Sequence, residues 1–186
     1  GIAYKNPEPN NFSFNSPKGA CNSCNGLGFH KKVDIKKIIP DEKLSINRGG
    51  IAPIEGQNAK WFLKQIEAIG KKYDFDLSTP IKEISKKGLN AILYGLHENF
   101  SVELKNVGVS KTYKINFDGI INFIEQQAKL TYVKSISRWA DKYRSEFHCE
   151  TCDGSRLNKE SKSYKIADSS IKDLSNMDIS SFYNWI

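Results

Sequence analysis

Two copies of the pattern Cys-x-x-Cys-x-Gly constrain this chain more than any other feature. The copies run from Cys21 to Gly26 and from Cys149 to Gly154, and together they contain every cysteine of the sequence. A Cys-x-x-Cys turn points two thiolates at one place, and the glycine that follows lets the backbone turn back without a Cβ clash. Four thiolates are a ligand set of structural Zn²⁺, so the pattern predicts one zinc site. Its predicted ligands are Cys21, Cys24, Cys149 and Cys152.

The separation of the two copies predicts the domain arrangement. Because 124 residues lie between Cys24 and Cys149, we expect a small zinc module, residues 1–29 and 148–186, that is split by an inserted domain, residues 30–147. No export signal is visible, which favours a cytoplasmic, reducing location and metal over disulfides, although disulfides and a redox or cluster role stay as alternatives. No apolar run approaches the ~20 residues that span a bilayer, so no membrane partner is expected.

Hydrophobic periodicity predicts an α+β fold, with helices and a β-hairpin in the insert. The predicted helices of the insert cover residues 33–39 and 58–73, a segment capped by Thr79 with Pro80 at its first position that continues through Ile81 and Ile84, residues 120–127, and a longer segment from Val133 into Phe147. Another apolar stripe, Leu89, Ile92 and Leu93, is expected to stop at Gly95. The predicted hairpin covers residues 100–117. The zinc module is expected to contain short strands at Phe12–Phe14 and Ser163–Ala167 and two short helices between Ile171 and Trp185.

The net charge of +7 lies entirely between the two cysteine turns. Residues 30–148 contain 21 lysines and arginines against 14 aspartates and glutamates, whereas the flanks contain 7 of each kind. Such a segment suits a phosphate backbone as its partner, and composition supports a merely solvated surface equally well. The basic face of the helix that leads towards Cys149 is the best local candidate for DNA. The candidate DNA-binding residues are Lys31, Lys32, Lys71, Lys72, Lys134, Arg138, Lys142, Arg144 and Arg156.

The sequence contains no signature of catalysis. It has no Gly-x-x-x-x-Gly-Lys-Ser/Thr phosphate loop, no Gly-x-Ser-x-Gly and no His-Glu-x-x-His, and its carboxylates are scattered singly among lysines. We therefore predict that the chain by itself is not an enzyme. His30 and His148 flank the cysteine turns and are expected to be neighbours of the metal rather than ligands. The abrupt start without an initiator Met predicts a piece of a longer protein.

Both ends of the chain resemble one family. Residues Phe12–Gly28 look like the first zinc-module segment of UvrA, the damage-sensing ATPase of bacterial nucleotide excision repair and a component of the UvrABC excision nuclease. Residues Cys149–Ser161 resemble the returning half of that module, and Tyr164–Ile179 is similar to the segment that approaches the family's ABC signature. The segment between them would correspond to the family's insertion domain, with its best match at Phe117–Ile121.

The resemblance implies a DNA-engaging module of the DNA-damage (SOS) response, which contacts damaged duplex DNA without reading its sequence. It also implies that ATP is bound only in other parts of the parent protein, an ABC ATPase that loads UvrB and pairs with a second UvrA subunit. The alternative hypothesis is a zinc-stapled protein-interaction module similar to that of DnaJ. That family has four closely spaced repeats, whereas this chain has two, and Arg156 stands in the second where Gly28 stands in the first.

Overall fold

The structure is a computed structural model that describes residues 6–55, 59–96, 100–106, 109–115 and 117–186. The chain divides into two compact units. The first, called the cysteine unit below, comprises residues 1–31 and 146–186, and the second, called the helical unit, comprises residues 32–145. The predicted assignment of residues 1–29 and 148–186 to a zinc module and of 30–147 to an insertion domain stays a prediction.

The elements confirm the α+β class. The helices are α1 (Ile35–Ile38), α2 (Ala59–Tyr73), α3 (Lys86–Tyr94), α4 (Ile120–Lys129), α5 (Lys134–Lys142), α6 (Lys159–Ser163), α7 (Ile171–Ser175) and α8 (Ile179–Trp185), with 3-10 turns at Pro9–Phe12, Ile46–Arg48 and Ile81–Glu83. The strands are β1 (Phe29–Val33), β2 (Phe100–Asn106), β3 (Val109–Ile115), β4 (Arg144–His148), β5 (Lys165–Ile166) and β6 (Ser169–Ser170). They form three two-stranded sheets, in which β1 pairs with β4, β2 with β3 and β5 with β6.

The lengths of the helices decide whether any of them could span a membrane. The longest helix among the described residues, α2, has 15 residues. About 20 predominantly apolar residues are needed to cross a bilayer. Within the described part of the chain, no helix is both long and apolar enough to do so.

The helical unit is built around a core that is rich in isoleucine. Helix α2 packs against α3, α3 against α4, and α4 against α5. Each of these helices turns an apolar stripe inward, as the spacing of three and four residues predicts. Burial of one such side chain stabilises the fold by about 1.5–3 kcal/mol. The fully buried isoleucines are Ile38, Ile51, Ile66, Ile69, Ile81, Ile92, Ile120 and Ile124.

A close backbone crossing joins the end of α3 to the start of α4. Gly95 has φ +92° and Gly119 has φ +87°, and a Cβ on Gly119 would lie 2.4 Å from the backbone N of Gly95. Leu96 N–H donates to the Phe117 carbonyl over 2.8 Å beside this crossing. The predicted hairpin lies between these two glycines in the chain. Its strands β2 and β3 pair antiparallel, with Phe100 opposite Ile115 at one end and Asn106 opposite Val109 at the other. Only glycine fits the crossing, because any side chain would meet backbone.

Several predicted boundaries are wrong for local reasons. The segment Phe12–Phe14 is not a strand: Pro9 begins a 3-10 turn, and the Asn11 side-chain oxygen accepts from Glu8 N–H over 2.8 Å. The segment predicted to start at Thr79–Pro80 is only a 3-10 turn, Ile81–Glu83, whose N-cap is Pro80. Helix α3 starts after it and is capped by Ser85, whose hydroxyl accepts from Gly88 N–H over 3.1 Å. The predicted Asn58 cap of α2 lies outside the described residues, as does His97.

The helix predicted from Val133 to Phe147 is also wrong at its end. Helix α5 stops at Lys142, and the next residues form β4, which pairs with β1. Asp34 N–H donates to the Tyr143 carbonyl over 2.9 Å, so the pairing already engages the backbone where the helix ends. Arg144 consequently lies on a strand and is not part of the basic face of a helix. The strand predicted at Ser163–Ala167 is likewise shorter, because α6 extends to Ser163 and a turn at Ala167–Asp168 joins β5 to β6.

Within the helical unit, Arg144 connects three elements. Its guanidinium contacts Glu125 Oε2 of α4 and Asp141 Oδ1 of α5, each at 3.2 Å, and its side chain is 17% exposed. Glu125 Oε1 also accepts from the Val33 N–H of β1 over 2.9 Å. The Glu125 carboxylate thus accepts a hydrogen bond from the last residue of β1 and also pairs with the largely buried guanidinium of Arg144.

We expect Arg144→Ala to lower the free energy of unfolding by about 2–3 kcal/mol, because it leaves Glu125 partly buried without its counter-charge. Urea titration of the whole chain measures this. The matched control is Lys18→Ala, which breaks an ion pair whose side chains are 60% and 59% exposed and should cost under about 0.5 kcal/mol. Equal effects of the two substitutions would contradict a structural role for Arg144.

Candidate metal centre and basic helix face

The two cysteine turns have the same backbone geometry. Asn25 and Gly26 have φ +50° and +76°, and the equivalent Asp153 and Gly154 have φ +51° and +71°. In the first turn Leu27 N–H donates to the Cys24 carbonyl over 3.0 Å, and in the second the equivalent Ser155 N–H donates to the Cys152 carbonyl over 3.2 Å. A Cβ on Gly26 would lie 2.0 Å from the Phe14 carbonyl oxygen. The repeated pattern therefore sets two pairs of thiols in similar geometry.

The structure brings all four sulfurs together. They lie within 4.8 Å of one another, and the cysteines are between 0% and 4% exposed. Cys24 Sγ and Cys152 Sγ are 3.7 Å apart. Four ligands at Zn–S distances of about 2.3 Å in a tetrahedron have sulfurs about 3.8 Å apart. The residues Cys21, Cys24, Cys149 and Cys152 thus form a cluster that can hold a metal ion.

Short-range interactions determine which sulfurs ionise most easily. The N–H of Cys152 donates to the Cys149 thiolate and lowers the pKa of Cys149, whereas burial raises the pKa of Cys152. Gly28 N–H also points at Cys24 Sγ, 3.2 Å away. A cation is needed before four neighbouring buried sulfurs can all be thiolates, since metal binding displaces their protons.

Neither flanking histidine belongs to the sulfur cluster. His30 Nε2 lies 3.3 Å from Ser23 Oγ, and His148 Nε2 lies 2.8 Å from Asp153 Oδ1. The other oxygen of Asp153 contacts Lys172 Nζ, and these two partners, Lys172 first, lower the pKa of Asp153 to about 2. Both imidazoles have partners outside the cluster.

Arg156 occupies the position in the second turn that Gly28 occupies in the first. Both residues have a left-handed backbone conformation, with φ +66° at Arg156 and φ +85° at Gly28. This conformation costs a non-glycine residue about 1–2 kcal/mol. The Arg156 guanidinium lies 4.9 Å from the centroid of the Phe14 ring, a contact that offsets roughly 0.5–1 kcal/mol. Sequence reasoning did not find Phe14 as a partner of Arg156, because no local pattern links residues so far apart in the chain.

The other candidate DNA-binding residues lie on several different elements. Lys31 and Lys32 are exposed on β1. Lys71 and Lys72 lie in the last turn of α2, where Lys72 Nζ is 5.8 Å from the centroid of Tyr73. The residues Lys134, Arg138 and Lys142 are exposed on α5.

The three cations of α5 form a row, called the α5 row below. They are spaced by four residues, which places them on one side of the helix about 6 Å apart. Elsewhere on the helix, Ala140 is buried, and Tyr143 beyond its end is buried as well. Among the described residues, no carboxylate lies within ion-pair distance of Lys134, Arg138 or Lys142. The row is therefore available to an anionic partner.

A family model described as the UvrA DNA-binding domain matches residues 34–142, more than half of the chain. The chain belongs to the UvrA family. The predicted resemblance to UvrA is confirmed.

Whole-protein relatives agree with this assignment. UvrABC system protein A from Malacoplasma penetrans is 35% identical over 191 residues, which cover 100% of this chain and 20% of the relative. The proteins of the same name from Listeria innocua and Methanothermobacter thermautotrophicus are 34% and 35% identical and match 96% of this chain and 19% of their own length. The chain thus spans about a fifth of the length of these relatives.

A solved structure shows the same fold. The crystal structure of UvrA2 from Deinococcus radiodurans superposes with a TM-score of 0.69 and 22% sequence identity. The match covers 94% of this chain and 22% of the UvrA2 chain.

We expect Gly26→Ala to disrupt the metal centre, because its Cβ would collide with backbone at Phe14. Gly49→Ala is the matched control: Gly49 also has positive φ (+80°), but nothing lies within 4 Å of a Cβ there. The control should cost only about 1–2 kcal/mol of backbone strain and retain metal. Metal content and thermal unfolding of the two variants measure the difference, and full metal retention by Gly26→Ala would contradict the proposed turn geometry.

Proposed function

We propose that this chain is the DNA-engaging zinc module and insertion domain of a UvrA-type damage-recognition ATPase in nucleotide excision repair. The observation that carries the proposal is the α5 row, three cations on one helix that have no carboxylate at ion-pair distance among the described residues, within the segment that matches the UvrA DNA-binding domain. The module contacts duplex DNA beside lesions, and the proposal includes a cytoplasmic location.

The electrostatics support contact with the DNA backbone rather than with bases. Successive phosphates of one strand wind around the helix axis, so the distance between neighbouring phosphates exceeds their ~3.4 Å rise along the axis, and cations about 6 Å apart can face successive phosphates. Phosphate contacts position a protein without reading sequence. Such binding suits damage recognition, because a lesion occurs in any sequence. Lys31, Lys32, Lys71, Lys72 and Arg156 are further proposed contacts, and Arg144 is the weakest, since two carboxylates hold its guanidinium.

The metal in this proposal is one Zn²⁺ with an architectural role. Cys21, Cys24, Cys149 and Cys152 would hold it, and four thiolates close the coordination sphere, which leaves no position for a reactive water. The ion would fix the two cysteine turns against each other. In this chain the turns themselves supply the positive-φ glycines and the N–H groups that point at sulfur.

We assign ATP binding and hydrolysis, loading of UvrB and pairing with a second UvrA subunit to the rest of the parent protein. The support is that this chain spans about a fifth of its relatives and that its own sequence carries no phosphate loop. The domain division of the proposal, a zinc module of residues 1–29 and 148–186 and an insertion domain of residues 30–147, is supported by the separate compact units.

We expect metal analysis of the purified chain to find about one zinc per molecule, which Cys152→Ser releases. Loss of the metal should also loosen the cysteine unit, measured as faster amide exchange there. Ser23→Ala is the control, because Ser23 is an exposed residue of the first turn and should leave the zinc in place. A chain that folds with four free thiols and no metal would contradict the zinc assignment.

We expect the triple variant Lys134→Ala, Arg138→Ala, Lys142→Ala to bind duplex DNA more weakly at every sequence. The slope of log K against log salt should fall in magnitude by about 2 to 3, since each lost phosphate contact contributes about 0.9. Fluorescence anisotropy of a labelled duplex between about 50 and 200 mM salt measures both quantities.

The matched control removes the same charge elsewhere in the helical unit, through Lys82→Ala, Lys86→Ala and Lys87→Ala, which are all exposed. The control should retain a salt slope close to that of the unaltered chain. Equal losses in the two triple variants would show that net charge, and not the α5 row, governs binding. Binding to an unfolded protein in place of DNA would favour the DnaJ-like alternative.

A further inference from the structure

The helical unit contains a cleft between α2, α4 and α5 that the proposed backbone contact does not use. Its volume is about 300 Å³, and Phe62, Phe123, Gln127, Ile136, Trp139 and Glu55 line it. This volume is at the lower end of the range of small-molecule sites, and the composition, apolar walls with a few polar groups, is also typical of such sites.

Aromatic rings form the walls of the cleft. The centroids of Phe62 and Phe123 are 4.9 Å apart at 69°, and those of Phe123 and Trp139 are 5.9 Å apart at 70°. Trp139 continues the series to Tyr143, 5.3 Å away at 67°. Edge-to-face packing holds each ring at a fixed angle. All three wall rings are only partly buried, so they offer fixed apolar surface to a planar ligand.

The polar groups of the cleft can bind the edge of such a ligand. Tyr143 OH donates to Glu55 Oε1 over 3.2 Å and lies 3.4 Å from the Ala52 carbonyl. Burial and the neighbouring Glu55 charge raise the pKa of Tyr143 to about 12, so this hydroxyl stays a donor and holds the carboxylate. The Glu55 carboxylate accepts hydrogen bonds, and the Gln127 amide both donates and accepts.

One helix carries both the wall of the cleft and the α5 row. Ser135, Ile136 and Trp139 line the cleft, and Lys134 and Arg138 each directly precede one of them in the chain. The charges around the cleft are complementary to a nucleotide. The cations beside the cleft attract a phosphate, whereas the Glu55 carboxylate within the cleft repels a phosphate. Aromatic surfaces beside a cationic track are how proteins bind unpaired nucleic acid.

We propose that this cleft takes an unstacked nucleobase of the DNA whose backbone the α5 row contacts. The inference rests on the proposed function and extends it from backbone contact to a base-binding site. Unstacking costs least at a damaged, mismatched or unpaired position. A cleft that binds the released base therefore lets the module distinguish distorted from intact duplex without a sequence code.

The test compares three duplexes with the full chain: one fully paired, one with a single unpaired adenine, and one with an abasic residue in place of that adenine. We expect tighter binding of the unpaired base than of the abasic site, by about 5- to 150-fold if one base stacks on an aromatic ring. Trp139→Ala should abolish this preference and keep the salt slope. Ser135→Phe, which fills the mouth of the cleft from a partly exposed helix face, should do the same without removing a packed ring.

Trp61→Ala is the control, because Trp61 is 42% exposed and does not line the proposed base site. It lines a neighbouring cleft that shares Phe62 and Phe123 but not Trp139, so this variant should keep the preference. Equal affinity for the unpaired and abasic duplexes, with DNA binding retained, would overturn the base site and leave the proposed function standing. The cleft would then be assigned to another occupant, such as an apolar side chain of a protein. Failure of the unaltered chain to bind any of the three duplexes would overturn both proposals.

Discussion

The cysteine unit depends on the meeting of four sulfurs from two distant parts of the chain. Among the described residues, its buried apolar side chains are the four cysteines, Leu157 and Leu174, so its apolar core is small. Small units of this kind usually require a metal or disulfides. Backbone bonds such as Cys21 N–H to the Arg156 carbonyl, 2.8 Å, and Asn158 N–H to the Gly19 carbonyl, 2.9 Å, align the two halves around the sulfurs. The sulfur cluster thus forms most of the small core of this unit.

The helical unit draws its stability from a different source. Its isoleucines and leucines form a continuous apolar cluster with Phe117, Ala140 and Tyr143, and none of these residues takes part in the sulfur cluster. The largely buried guanidinium of Arg144 forms ion pairs with Glu125 and Asp141, whereas the cations of the α5 row are exposed to solvent. Positive charges within a few residues of each other therefore lie in two different environments, which differ in burial and in partners.

Sequence reasoning succeeded where the information is local. Periodicity predicted α2, α4 and the β2–β3 hairpin, because one apolar stripe or one alternation spans each element. It failed at β4, since Arg144–His148 becomes a strand through pairing with β1, more than a hundred residues earlier. The aromatic cleft was equally out of reach, because Phe62, Phe123 and Trp139 come from three helices. The proximity of the four sulfurs could be anticipated, since their coordination chemistry implies a long-range contact.

The glycine crossing at Gly95 and Gly119 has a consequence for how such a module can diversify. The chain leaves α3 and returns to α4 at this backbone crossing, with Leu96 and Phe117 hydrogen-bonded beside it. A hairpin of different length can therefore leave and return at the same point, provided that its first strand keeps its contact with α2. The same junction is a natural place to graft a foreign peptide or a reporter, because the exit and entry geometry is already fixed.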